Sequence, residues 1–142
     1  MNDLNKLTQW YEHLSEATLK DIDNFYSENV FFKDPFNEFT GREKVKSIFE
    51  HMFTSLNEAH FVFIETIQQG SSAFITWNFI FKFKDAQYKI HGSSHLKFDE
   101  LGKISYHRDY WDVGEELLLK LPLIKSIYKI FQQKFALKEK GL

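Results

Sequence analysis

Four consecutive runs decide the fold: His60–Ile67 (HFVFIETI), Ala73–Phe83 (AFITWNFIFKF), Tyr88–Phe98 (YKIHGSSHLKF) and Lys103–Asp112 (KISYHRDYWD). Each alternates ring or branched apolar residues with polar ones at a period of two, as a strand with one buried face does. Gln69-Gly70-Ser71, Lys84-Asp85-Ala86 and Asp99-Glu100-Leu101-Gly102 separate the runs. Turns this short join neighbours that run in opposite directions, so the runs predict an antiparallel meander.

Upstream of His60 the period is mostly helical. Leu4, Leu7, Tyr11, Leu14 and Thr18 recur as one face of an amphipathic helix. Thr18, three residues before Asp21, reads as the cap of a second short helix with Leu19, Ile22 and Phe25 on its apolar face. Val30–Asp34 reads as a short strand stopped by Pro35. Thr40-Gly41-Arg42-Glu43 reads as a capping box, and Val45, Ile48, Phe49, Met52, Phe53 and Leu56 come after it as the apolar face of a third helix. Downstream, Leu117, Leu121, Ile124, Tyr128, Phe131 and Phe135 form the stripe of a tail helix that Pro122 kinks or restarts. The expected fold is therefore α+β: a cone-shaped, curved antiparallel or mixed sheet with three helices of the N-terminal half on its concave face. Residues 1–112 make that domain, and residues 113–142 make a helical extension packed on the same domain or its partner.

Composition narrows the function. The 142 residues carry 16 Phe against 6 Gly and 2 Pro, which suits a sheet lined with rings. A chain of this size buries roughly 68–70% of its unfolded surface, so the core needs neither disulfide nor structural metal. There is no cysteine, which excludes a disulfide framework, thiolate metal ligands and a Cys nucleophile. His91 and His95 stand ~13 Å apart along a strand, too far to share a metal. A net charge of −2 with mixed signs leaves no basic stripe for nucleic acid. No apolar run approaches the ~20 residues of a membrane span. Met1-Asn2-Asp3-Leu4 has no basic and apolar leader, so a cytoplasmic protein without stable membrane association is expected.

Particular residues carry a family likeness. Tyr11-Glu12-His13-Leu14, Phe32-Lys33-Asp34-Pro35, Thr40-Gly41-Arg42-Glu43, Ser94-His95-Leu96-Lys97-Phe98 and Gly102-Lys103-Ile104 stand in the order of the elements above. Over residues 4–112 this resembles the ketosteroid-isomerase-like superfamily, which also contains nuclear transport factor 2 and the SnoaL-like polyketide cyclases. The ending His107-Arg108-Asp109-Tyr110-Trp111-Asp112, with its tail, is similar to SnoaL-like proteins of unassigned function. The resemblance implies that Asp34 stands at the isomerase's general base and Tyr11 near its oxyanion-hole tyrosine. Ser94 then replaces a second oxyanion donor that is a protonated Asp in the isomerase. A Ser hydroxyl is a weaker donor than a buried carboxylic acid, so the likeness points to the fold more than to a steroid substrate.

In that register Phe32 and Asp34 share the concave face with Ser94, His107, Asp109 and Trp111, and Trp77, Phe79 and Phe81 floor the cavity. A carboxylate among rings suits proton abstraction next to a carbonyl. Asp before Pro is also an ordinary turn residue, whose oxygens would then sit on N–H groups near Phe36 or Asn37. Residues two apart on a strand stand ~7 Å apart, so His107 and Asp109 are expected to act on each other through charge rather than a direct hydrogen bond. They form either auxiliary acid–base groups or a satisfied polar pair. Two functions remain open. One is an isomerase, cyclase or dehydratase on a small apolar carbonyl compound, needing no organic cofactor, with Asp34 as base, Tyr11 and Ser94 as oxyanion donors, and His107 and Asp109 assisting. The other is a non-catalytic carrier or interaction module with the same cavity.

The opposite face mixes His91, Ser93, His95, Arg108 and Tyr110, too aromatic for plain surface and too polar for core, which favours a homodimer through it. Light scattering at high micromolar concentration should therefore give twice the chain mass; a monomer there would defeat the expectation.

Overall fold

The protein is described by a computed structural model that covers residues 3–120, 129, 130 and 133. Its contacts divide the chain into two compact units, Met1–Trp111 and Asp112–Leu142.

The first unit begins with helix α1, Leu4–Glu12. Asp3 caps it, its Oδ1 accepting the N–H of Asn5 at 3.1 Å and of Lys6 at 3.2 Å. The helix buries Leu7 and Tyr11 of the expected face, and Trp10 besides, but ends before Leu14 and Thr18. Thr18 does not cap a second helix. Its Oγ1 accepts from the Ser15 N–H at 2.9 Å, so it closes the link out of α1, and the next element is a 3-10 turn, Leu19–Asn24.

Strand β1 is longer than expected, running Tyr26–Lys33 with Tyr26, Val30 and Phe32 buried. Asp34 falls just beyond it. A short strand β2, Glu38–Thr40, folds back on β1 with Phe31 opposite Thr40. The expected capping box is absent for this reason: Thr40 is committed to the sheet, and Gly41 caps α2 (Arg42–Ser55) without a side-chain bond. At Gly41 φ is +127°, a conformation only glycine adopts cheaply, and its N–H reaches the Val30 carbonyl at 2.9 Å.

Strands β3 (Asn57–Gln69), β4 (Ser72–Phe83), β5 (Ala86–Phe98) and β6 (Ile104–Tyr110) are the meander read from the sequence. Their neighbours pair antiparallel. The curved, unclosed sheet has the order β2-β1-β6-β5-β4-β3, and it is mixed because β1 lies parallel to β6. On β4 the alternation is plain: Ala73, Ile75, Trp77, Phe79 and Phe81 are buried, and the residues between them are less so. The helices pack on this ring-bearing face, with Leu19, Ile22, Val45, Ile75, Leu96 and Ile104 almost wholly buried. Each such side chain contributes about 1.5–3 kcal/mol.

In the second unit Asp112 caps a single turn, α3 (Val113–Glu116), which closes at Leu117. The rest of the expected stripe (Leu121, Ile124, Tyr128, Phe131, Phe135) lies outside the described residues. Among the described residues, no helix is long and apolar enough to cross a membrane.

Gly92 sits opposite Trp77 across β4 and β5. A Cβ there would come within 2.6 Å of the Trp77 ring, a rigid neighbour clamped in the core. Gly92→Ala should therefore cost about 1–3 kcal/mol of stability, read from the midpoint of urea unfolding.

Candidate functional site

Strand register brings the polar groups together. Ser94 on β5 stands directly opposite Asp109 on β6, and Leu96 opposite His107. The parallel pairing on the other edge sets Phe32 beside His107. Trp77, one strand further out, reaches diagonally across Gly92, where the missing side chain lets the indole lie flat against the backbone.

The result is one continuous chain of hydrogen bonds. The Trp77 indole N–H donates to Ser94 Oγ at 2.9 Å, and Ser94 donates to Asp109 Oδ1 at 2.5 Å. His107 Nε2 meets the same Oδ1 at 2.7 Å. On its far side, His107 Nδ1 is 2.9 Å from the Tyr26 hydroxyl, which is hydrogen-bonded to the hydroxyl of Tyr11. A carboxylate can only accept, so His107 donates from Nε2. In the neutral imidazole Nδ1 then accepts from Tyr26, and Tyr26 accepts from Tyr11.

The direct His107–Asp109 bond corrects the separation expected from strand spacing. Backbone positions two apart are distant, but the imidazole leans along the strand and spans the gap to the carboxylate. Ring contacts fix that lean: the His107 ring stacks on Tyr26 at 5.9 Å and 13°, and meets Phe32 tilted by 52° at 4.8 Å. His107 is only 4% exposed.

Burial governs the two phenols. It holds Tyr11 far above the ordinary tyrosine range, with the Tyr26 hydrogen bond opposing and the charge of Asp109 adding. Tyr26 is raised well above that range by burial and by its neighbour Tyr11. Both are neutral donors throughout the physiological range.

Two spaces adjoin the chain of bonds. An outer cavity of about 380 Å³ is walled by Phe32, Phe36, Phe49, Phe61, Trp77, Phe79 and Trp111, with Ile48, Met52, Leu56 and Ile90 filling the gaps. Its ionisable wall residues are Asp34, His51 and Asp109. A smaller void of about 30 Å³ lies deeper, bounded by Tyr11, Phe63, Ser94, Leu96 and His107 among others, and large enough for one small polar group. Phe49, Phe61, Trp77 and Asp109 line both. Asp109 thus stands where the two spaces meet.

Four residues singled out in the sequence therefore converge: Tyr11, Ser94, His107 and Asp109. Asp34 lines the outer cavity, but its Oδ1 accepts the backbone N–H of Phe36 at 2.8 Å and of Asn37 at 2.7 Å. The Asn37 side-chain amide reaches both of its oxygens. This is the turn geometry weighed against a base role. Phe32, Trp77, Phe79 and Trp111 line the cavity. Phe81 does not; it is buried between Phe79 at 5.2 Å and Tyr88 at 5.4 Å. Tyr26 escaped the sequence reading because Glu28 and Asn29 hide the alternation that joins it to Val30 and Phe32. The aromatic four residues before Val30 was the available signal. Among the described residues no cluster of three His, Asp or Glu is arranged to hold a metal ion.

Residues 7–107 match the family model of the SnoaL-like domain. Solved structures share the fold. One is a hypothetical protein with a ketosteroid-isomerase-like fold from Catenulispora acidiphila, in complex with trimethylamine, at 14% identity and a TM-score of 0.70 over 82% of this chain and 92% of that one. A putative SnoaL-like polyketide cyclase from Shewanella putrefaciens is 22% identical, with a TM-score of 0.65 over 82% and 97%. An LEH-like epoxide hydrolase of M. tuberculosis is 13% identical, with a TM-score of 0.68 over 85% and 92%. No curated protein matches the chain.

The raised phenols give a pH signature. Unfolded tyrosines ionise near pH 10, whereas Tyr11 and Tyr26 keep their protons in the folded state. Their stabilisation is fully present below about pH 10 and is lost as pH rises past it, because the folded state then holds more protons than the unfolded. Tyr11→Phe keeps the ring and deletes the hydroxyl. Its stability, measured by urea unfolding, should fall above about pH 10 less steeply than the wild type by about one proton, near 1.4 kcal/mol per pH unit.

Proposed function

We propose that this chain, which belongs to the SnoaL-like domain family, is an enzyme that moves a proton next to the carbonyl of a small, largely apolar compound, with Asp109 as its base. The observation that carries this reading is the placement of Asp109. Ser94 and His107 both bond one and the same carboxylate oxygen, at the junction of cavity and recess. The second oxygen serves as proton acceptor toward the cavity, and the first is locked in place. This assigns to Asp109 the role that family position suggested for Asp34, whose oxygens are engaged by its own turn.

The tyrosine pair supplies the complementary donor. Tyr11 lines the recess, and its hydroxyl turns from Tyr26 to donate there. An enolate oxygen lodged there would accept that hydrogen bond. The Ser94 and His107 hydrogen bonds fix the Asp109 carboxylate at the cavity wall among the rings. Asp109 returns the proton to a different carbon in an isomerisation, or first trades it for a solvent proton and delivers that to the same carbon in simple exchange. No organic cofactor enters these steps. Small molecules held by structural relatives, trimethylamine among them, fit a cavity used for ligands of this size. We place a second copy of the chain on the opposite sheet face, where Ile67, Phe74 and Tyr110 are exposed beside His95 and Arg108.

Hydrogen–deuterium exchange tests the base. In D₂O the wild type should label the carbon next to the carbonyl of simple cyclic and aryl ketones, followed by NMR. Asp109→Asn retains an oxygen for Ser94 and His107 and should still bind the ketones, yet its exchange should drop at least about 100-fold. Undiminished exchange in the variant removes Asp109 from the role. Binding without exchange in the wild type makes the protein a carrier.

A further inference from the structure

We infer that the ligand of the outer cavity carries an ammonium group, received at the mouth by Asp34, Phe36 and Trp111. The inference rests on this cavity being the ligand site, as proposed above, but not on catalysis by Asp109.

The wall is unusual in its charge. Seven Phe or Trp rings and two carboxylates, Asp34 and Asp109, face a space of about 380 Å³ that no Lys or Arg among the described residues lines. His51 is the one basic side chain among the described residues on it, with Nε2 3.5 Å from Ser55 Oγ. The cations next in sequence to the two carboxylates have other contacts: Lys33 pairs with Glu38 at 3.1 Å, and Arg108 lies over the Tyr110 ring at 4.6 Å. Both line an adjoining groove that shares Asp34, Asp109 and Trp111 with the cavity. An anionic ligand would meet the Asp34 carboxylate with no Lys or Arg on this wall, and a purely apolar one would strip water from it without replacing it.

Asp109 has a protein partner for its charge in His107. Asp34 has none among the described residues; its hydrogen bonds come from neutral N–H groups of its own turn. Those bonds hold the carboxylate at the rim. Phe36 beside it is 66% exposed, a large ring kept at the surface. Its edge meets Trp111 at 5.6 Å and 73°, so the two rings present non-parallel walls next to a carboxylate. Rings at an angle around an anionic group make the environment that attracts a protonated or quaternary amine through cation–π and Coulomb terms together. The ligand class is thus an apolar carbonyl compound bearing an amine, its cation at Asp34 and its carbonyl end toward Asp109.

The test is binding, read by isothermal titration at pH 8 with the full chain. The probes are benzyltrimethylammonium, its uncharged carbon isostere neopentylbenzene, and phenylacetate. The cation should bind about tenfold tighter than the isostere, and phenylacetate weakest of the three. Asp34→Asn keeps an oxygen for the turn and should erase the preference for charge. Trp111→Leu, which leaves that turn intact, should weaken the cation several-fold more than the isostere. A cation that binds no better than neopentylbenzene, or fails to bind at millimolar concentration, overturns the inference, as does a preference unchanged in both variants. Ketone exchange by the wild type would continue in those cases, so failure here is distinct from failure of the base reading. Cation preference with no exchange would leave this inference standing and sink only that reading.

Discussion

A carboxylate set among aromatic rings loses most of its hydration, and an unpaired charge in such a place costs several kcal/mol. Asp109 is tolerated because two donors converge on one of its oxygens. Each of those donors is itself held: Ser94 by the Trp77 indole, His107 by Tyr26 and, beyond it, Tyr11. The demand of one charge thus propagates through β4, β5, β6 and β1 to helix α1. Deleting any member leaves another buried polar group short of a partner, a loss of about 1–3 kcal/mol at each site. The same demand explains why a face otherwise given to Phe, Ile and Leu carries a Ser, a His and two Tyr in contact.

The strands meet that demand through register rather than through any special loop. Ser94 opposes Asp109, Phe32 lies beside His107, and Gly92 gives Trp77 the room to point its N–H at Ser94. A slip of one residue in β5 or β6 would send every one of these groups to the other face. Chemistry and packing here are one arrangement, which is why its polar members are almost as buried as the core.

Much of this was legible in the chain itself. Period-two alternation from His60 onward located the meander, and the family register put Ser94, His107 and Asp109 on one face with Trp77. What escaped depends on three-dimensional detail that periodicity does not carry. The distance between Cα atoms two apart on a strand says nothing of how far an imidazole leans, so the His107–Asp109 bond was missed. Thr40 followed by Glu43 has the letters of a capping box, but strand pairing claimed Thr40 first. Asp34 answers to two physical descriptions, base and turn former, and only the positions of the Phe36 and Asn37 N–H groups separate them. Tyr26 was overlooked because the exposed Glu28 and Asn29 interrupt the alternation between it and Val30.

The parallel contact between β1 and β6 has a kinetic consequence. The meander closes through hairpins whose strands are neighbours in sequence, whereas the Tyr26–His107 bond joins residues 81 apart. Contacts of such separation carry a larger loop-closure entropy and form late in folding. The hairpins can therefore assemble with Ser94 and Asp109 already opposite each other, while His107 still lacks Tyr26 and Tyr11. The polar chain becomes complete only when the amino-terminal segment docks. Docking of the amino-terminal segment therefore both adds β1 to the sheet and closes the polar chain beside the cavity.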